Sequence, residues 1–442
     1  MMSCFSQDNL LKSLRSALQH IAGTLDIPLV VTLWNGSQIP LGKSVDTENS
    51  VTIKNAGVIA ALIKRPTPEN LAQHYATGNI AFSGDLISAG EAIRDKLKRK
   101  DIKRLDKTLL LRRLWPFLFI RSAKAVPQHG FDKDATGTEH VNKNNKTYIQ
   151  FHYDVSNEFY QLFLDPEMQY SCAYFTDWSN TLEQAQQDKL EMICRKLRLK
   201  ENERFLDIGC GWGGLICYAA KHYGVKAHGI TLSEEQHAYV KEKIRKLGLE
   251  DRVTVEIKDY LVLEGSYDKV ASIGMFEHVG IANFPAYFRK IDSLMRNRGI
   301  LLNHAIARRG KANDKKVLAN TPEKRMLMKY IFPGGELAPI GQSVNAMEAY
   351  GFEVHDVENW REHYALTCKH WCRRLAANKE RAIALVGPER YNLWIAYLAG
   401  VSFAFTLGSS LIYQTVATKR GKEKGLSGMK PTRADLYEAA QR

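Results

Sequence analysis

Five short apolar runs at regular spacing, Arg204–Ile208, Lys226–Ile230, Val253–Ile257, Lys269–Ile273 and Ile300–His304, organise the second half of this 442-residue chain. Helical stretches of roughly 10–20 residues separate most of them, the length a crossover needs to bring one parallel strand beside the next. The alternation predicts an α/β fold built on a doubly wound sheet. The first run continues as Phe205-Leu-Asp207-Ile-Gly209-Cys210-Gly211-Trp-Gly213-Gly214. Glycines there let a strand turn tightly into a helix beside a ligand.

A glycine loop alone does not name that ligand. A dinucleotide site expects an acid about 20 residues further on for the ribose hydroxyls. Here the second run ends at Ile230-Thr231 with no acid. Asp207 before the loop and Asp259-Tyr260 after the third run fit instead a nucleoside with a short charged tail, the layout of S-adenosylmethionine methyltransferases.

Composition sets the outer limits. With 45% hydrophobic and 25% charged residues, the chain is neither disordered nor fibrous and can bury a large core. Its net charge of +14 favours anionic partners. Seven cysteines without paired spacing fit reduced thiols. Cys368-Lys-His370-Trp-Cys372 lacks zinc spacing, so no metal is expected. The first 36 residues hold no uninterrupted apolar stretch before Ile27, so no secretory signal is expected. Leu393–Tyr413 is uncharged and long enough to span a bilayer. Its Gly400, Ser402, Thr406, Gly408, Ser409 and Ser410 favour a buried core segment instead.

Four regions emerge. Residues 1–105 read as a smaller α+β domain for lipid binding or docking. An amphipathic helix (Leu10, Leu11, Leu14, Leu18, Ile21) leads into strand-like runs at Ile27–Trp34, Val51–Ile53 and Val58–Ile63. Residues 106–146 join a basic-aromatic segment to a polar linker. Within it Arg112 and Arg113 interleave with Trp115, Phe117 and Phe119, which suits a membrane surface and equally a solvated helix face followed by a packed one. Residues 147–416 form the catalytic stretch, and 417–442 a basic tail.

Further motifs are Phe151–Phe159, Tyr170-Ser171-Cys172-Ala-Tyr174-Phe175, Gly274-Met-Phe276-Glu277-His278-Val-Gly280 and Asn303-His304-Ala-Ile306. With HYDVSNEFY (152–160), MQYSCAYF (168–175), LDIGCGWGG (206–214), GITLSEEQ (229–236), GMFEHVG (274–280) and KYIFPGG (329–335), the chain resembles the cyclopropane-fatty-acyl-phospholipid synthases and the related mycolic acid cyclopropane synthases. The likeness spans about 146–375 and implies a Rossmann-like methyltransferase sheet.

The resemblance implies transfer of a methylene group from S-adenosylmethionine to the cis double bond of unsaturated acyl chains in membrane phospholipids. Methylation of the alkene leaves a carbocation, and loss of a proton from the new methyl closes the ring. The alternative keeps the first step and yields a methylene- or methyl-branched product, or a furan precursor. The implied base is a bound bicarbonate ion held by Cys172, Glu277, His304, the backbone of Ile306, and Tyr364. Tyr174, Phe175 and Phe276 offer π faces to a cation. The cofactor set would be Tyr170 and Ser171 at the methionine end, and Asp207, Gly209, Cys210 and Gly211 at the loop. Thr231, Leu232 and Gln236 would serve the ribose, and Asp259 and Tyr260 the adenine.

Blander readings stand beside these. Cys172 also fits a small buried apolar residue or a covalent nucleophile, Glu277 a charge at a helix entry, and His304 and Tyr364 satisfied core residues. Two departures from the family, FAFTLGSS after residue 402 without a basic residue and a long 308–324 loop, bear on acyl-chain specificity. Amino-group methylation of nucleic acid is disfavoured because the position of an Asn/Asp-Pro-Pro-aromatic motif reads MFEHVG. A lipid-binding protein without turnover is the remaining rival. The resemblance further implies a homodimer, no nucleic-acid partner, and a cytoplasmic protein peripherally attached to the inner face of a bacterial membrane.

Overall fold

The computed structural model describes residues 6–45, 48–97, 99–127, 156–310, 336–421 and 425–437. HYDV (152–155), KYIFPGG (329–335), most of the 308–324 loop and most of the 127–147 linker lie outside the described residues. The rest falls into two compact units. One takes in described residues of 6–127 together with 372–399. The other takes in 156–310, 336–371 and 400–437.

The N-terminal unit opens on the expected amphipathic helix, Gln7–Leu25, capped by the Ser6 side chain and burying Leu10, Leu14 and Ala17. Its four-stranded sheet runs in the order β2 (Gln38–Pro40), β1 (Val30–Thr32), β3 (Ser50–Ile53), β4 (Ile80–Ser83). The strand expected at Val58–Ile63 is a helix, Ala56–Lys64. Its all-apolar sequence does not alternate, so periodicity alone left the choice open. Asn55 settles it locally, its Oδ1 accepting from Val58 N at 3.2 Å as an N-cap. Val31, Ile53, Val58, Ile80 and Phe117 share one core with Leu10 and Leu14. Residues 372–399, read from sequence as part of the catalytic stretch, belong to this unit. Asn392 Nδ2 donates to the carbonyls of Tyr75 and Ala76, each at 3.2 Å, and Arg373 pairs with Asp85.

The second unit is built on seven strands: β5 (Arg204–Ile208), β6 (Lys226–Thr231), β7 (Val253–Ile257), β8 (Tyr267–Ile273), β9 (Met295–Arg308), β10 (Phe352–Asn359) and β11 (Ser410–Lys419). Their order is β10-β11-β9-β8-β5-β6-β7. The β5–β6, β5–β8, β6–β7 and β8–β9 pairs are parallel, while β11 runs antiparallel to both β9 and β10. All five expected strands are present. Phe205 and Leu302 on one face, and Leu206, Val270 and Leu301 on the other, are fully buried, as a sheet covered on both faces requires.

The Leu393–Tyr413 run is divided between two elements. A helix ends at Thr406, residues 407–409 turn through Gly408 at φ 69°, and β11 begins at Ser410. Among the described residues no helix is long and apolar enough to cross a membrane. The described part of the 417–442 tail is largely exposed and is anchored at two points. Residues 417–419 complete β11, and Leu436 on the Ala434–Tyr437 helix is 2% exposed.

Candidate active site

The parallel strands all end on one edge of the sheet, where α/β folds place their ligands. β5 delivers Asp207 and then the loop Gly209–Gly213. Gly209, Gly211 and Gly213 adopt φ of 82°, 54° and 77°, conformations open to glycine and strained for other residues. The loop is held down by Gly209 N and Cys210 N, both donating to Ile230 O, at 3.0 and 2.9 Å. β6 ends at Thr231, whose hydroxyl donates to Gln236 Oε1 at 2.7 Å. Asp259 follows β7, and Gly274-Met275 follows β8.

These ends enclose a cleft of about 1130 Å³ including its mouth, of the size that takes a small molecule. Tyr170, Ser171, Asp207, Gly209, Cys210, Gly211, Thr231, Leu232, Gln236, Asp259 and Tyr260 all line it. Sequence reading missed Lys189, Gln169 and Trp212 on the same wall. Lys189 is 1% exposed, and its Nζ donates to Gln169 Oε1 at 2.5 Å and to Ser171 Oγ at 3.0 Å. Burial lowers its pKa to about 8, against the opposing pull of Asp165, Cys172 and Asp207. Burial raises Asp207 to about 7, with Lys189 opposing, and Asp207 Oδ1 has no hydrogen-bond partner among the described residues.

The five residues expected around a base come together through a chain of contacts beside this cleft. β9 carries His304 and Ile306 two positions apart, so both leave the sheet on one face. Ile306 N donates to Glu277 Oε1 at 2.5 Å. Ile306, Cys172, Tyr364 and Trp360 share one apolar cluster. His304 meets Trp360 edge-to-face at 5.1 Å, and Tyr364 packs on Phe405 at 4.6 Å. Phe276 lies elsewhere, stacked on Phe284 at 4.2 Å within a different core. The aromatics in the cluster are Tyr174, Trp360, Tyr364 and Phe405.

The electrostatics separate these residues by role. Burial raises Glu277 to about 7, with the Ile306 amide pulling the other way. The carboxyl therefore stands close to balance between acid and base at neutral pH. Burial and the charges of Lys189 and Lys196 lower His304 well below its ordinary value, keeping it neutral. Cys172 is fully buried and its thiol lies 3.3 Å from Ala173 O and 3.7 Å from Trp360 O. Burial pushes its pKa well up, so it is a thiol and not a thiolate nucleophile.

The residues fit a small anion in part. Glu277 Oε2 and His304 Nε2 are buried without a hydrogen-bond partner among the described residues, an acceptor and a ring nitrogen available to an added group. The Ile306 amide, expected to grip the anion, is engaged by Glu277.

Residues 140–415 match the family model described as mycolic acid cyclopropane synthetase. The chain belongs to the mycolic acid cyclopropane synthetase family. It is an S-adenosylmethionine-dependent methyltransferase of the cyclopropane synthase type. A probable fatty acid methyltransferase of Pseudomonas putida is 37% identical over 97% of this chain and all of its own length. The cyclopropane-fatty-acyl-phospholipid synthase of Escherichia coli K12 is 41% identical over 62% of this chain and 68% of its own. A solved mycolic acid cyclopropane synthase complexed with SAH and CTAB is 33% identical, covers 62% of this chain and 98% of its own, and superposes with a TM-score of 0.59. The doubly wound sheet expected from strand spacing, and the methyltransferase fold that the resemblance implied, are thus shared with this family.

Proposed function

We propose that this methyltransferase forms cyclopropane rings on the cis double bonds of unsaturated acyl chains in membrane phospholipids. The observation that carries the reading is the convergence of Glu277, His304, Ile306, Cys172 and Tyr364 beside the cofactor cleft, with Glu277 Oε2 and His304 Nε2 buried and without a hydrogen-bond partner among the described residues. When bound, S-adenosylmethionine supplies a methyl group activated on a sulfonium, whose leaving group is a neutral thioether. The glycine loop and Thr231–Gln236 wall bind and orient it, while Lys189 holds Ser171 and Gln169 at the cleft floor. A carbocation on the acyl chain must be kept from water until a proton leaves it. Trp360, Tyr174 and Tyr364 supply that dry wall. A bicarbonate ion would supply the base, with Glu277 Oε2 accepting from its hydroxyl and His304 and Tyr364 as further holders.

The N-terminal unit supports delivery at a bilayer surface. Leu111, Trp115, Leu118 and Phe119 are 68, 43, 42 and 66% exposed, on a short helix and turn that also carry exposed Arg112 and Arg113. Apolar insertion beside basic charge is what a peripheral membrane segment needs. A peripheral place on the inner face of the membrane and a homodimer complete this reading. Sedimentation velocity at assay concentration tests the dimer.

A second reading has its own support. The full-length relative from Pseudomonas putida bears the name fatty acid methyltransferase, which leaves open a branched product from the same first step. One experiment separates the two. The protein is incubated with methyl-labelled S-adenosylmethionine and vesicles of a cis-monounsaturated phospholipid, and the product is analysed by mass spectrometry and NMR. A gain of one methylene with upfield cyclopropane protons and no alkene supports ring formation. The same gain with an exocyclic alkene or a saturated branch supports the second reading, and no gain with any lipid overturns both.

A further inference from the structure

The reading above gives no task to Lys196. It lies on the helix Leu182–Leu197 with 1% of its side chain exposed, a burial lysine rarely tolerates unless paired. Its Nζ donates to Glu358 and, at 2.8 Å, to Gln414 Oε1. It also stands 5.0 Å over the ring of Trp360, the residue whose edge-to-face contact holds the His304 ring. Gln414 is the register partner of His304 across the β9–β11 ladder, so both side chains leave the sheet on one face. Gln414 Nε2 lies 3.0 Å from His304 Nδ1.

Donor and acceptor chemistry decides the proton. An ammonium has donors only, so the Gln414 atom facing Lys196 is the carbonyl oxygen. The atom facing the ring is then the amide nitrogen, itself a donor, and Nδ1 must accept. Turning the amide over would set its N–H group against the ammonium. With Nδ1 accepting, the ring proton sits on Nε2, the atom buried without a protein partner among the described residues.

We propose that Gln414, oriented by Lys196, is a positioning residue that fixes His304 as the Nε2–H tautomer, so that the ring presents a donor to the anion-holding part of the site. The opposite tautomer would turn a lone pair toward that anion and repel it. The lowered pKa of His304 agrees, since a neutral ring has a tautomer to set. The inference rests on the assignment of His304 to the base-holding site, and its main readout does not depend on activity.

The test is 15N NMR of the full-length protein with labelled histidine, the His304 signals being those lost in His304→Gln. The wild type is expected to carry its proton on Nε2. In Gln414→Glu the carboxylate can only accept; it pairs with Lys196 and takes a proton on Nδ1, so the tautomer is expected to reverse. Turnover is expected to fall about 10- to 100-fold, as for other residues that orient an active-site histidine, while the S-adenosylmethionine Kd changes less than about twofold. Lys196→Met, which frees the amide to turn, is expected to give both tautomers. A wild-type ring protonated on Nδ1 overturns the proposal, as does a reversed tautomer in Gln414→Glu with unchanged turnover. A wild type with Nε2–H that methylates no phospholipid supports the tautomer and removes the substrate reading instead.

Discussion

Glu277 is the residue on which chemistry and stability meet. Its folded pKa of about 7 lies above the ordinary 4.5 because it is buried. Between those values the folded chain keeps a proton that the unfolded chain has lost. The stability this gives is therefore complete below pH 4.5 and is lost as pH rises through about 7. Glu277→Gln removes the dependence. Its unfolding free energy relative to wild type is expected to climb between about pH 4.5 and 7, by about 3 kcal/mol at most, as read by denaturant titrations across that range. A flat difference would show that Glu277 is not held protonated by burial. The same variant is expected to lose turnover by about tenfold or more with S-adenosylmethionine binding intact, because Gln cannot offer the acceptor that Oε2 does. Lys189 tests the opposite end of the cleft. Lys189→Met keeps the length of the side chain and removes the grip on Ser171 and Gln169. Calorimetry is expected to show S-adenosylmethionine affinity reduced by about tenfold, two charge-assisted hydrogen bonds being lost from the floor of the site.

At the scale of elements, the glycine loop separates strain from space. At Gly211 a Cβ meets nothing within 4 Å and only its φ of 54° resists a side chain. Gly211→Ala is expected to cost about 1 kcal/mol in chemical denaturation. Gly229 on β6 is the reverse, with ordinary backbone but a Cβ that would fall 2.7 Å from Ile216 Cδ1 and 2.8 Å from Cys210 Sγ. Gly229→Ala is expected to cost about 2–3 kcal/mol through overpacking, and an effect no larger than that of Gly211→Ala would refute the distinction. The parallel strands were legible because a sheet covered on both faces demands continuous apolar runs. β10 and β11 were not: Phe352–Asn359 is largely polar, and β11 hides at the end of an apolar run whose first half is helix. Lys189 and Lys196 left a readable trace, seven positions apart on one face of a helix with Leu182 and Ile193. Gln414 left none, because its partner across the sheet is 110 residues away.

For the whole molecule, the exposed Leu111–Phe119 patch predicts membrane attachment that depends on both charge and insertion. Each basic residue near an anionic leaflet contributes about 1 kcal/mol. Trp115→Ala with Phe119→Ala is expected to weaken co-sedimentation with anionic vesicles by about tenfold or more while leaving S-adenosylmethionine binding unchanged, and binding to neutral vesicles is expected to be weak in either form. Full retention on anionic vesicles would remove this surface from the membrane reading. The path of the chain through its two units has a further consequence, for synthesis. Residues 372–399 complete the N-terminal unit, and Asn392 reaches carbonyls at Tyr75 and Ala76 some 317 residues earlier. A ribosome emits the start of the chain long before that helix exists, at about 5–20 residues per second. The portion made first must therefore wait, incomplete, while residues 128–371 are made, before its final helical piece arrives.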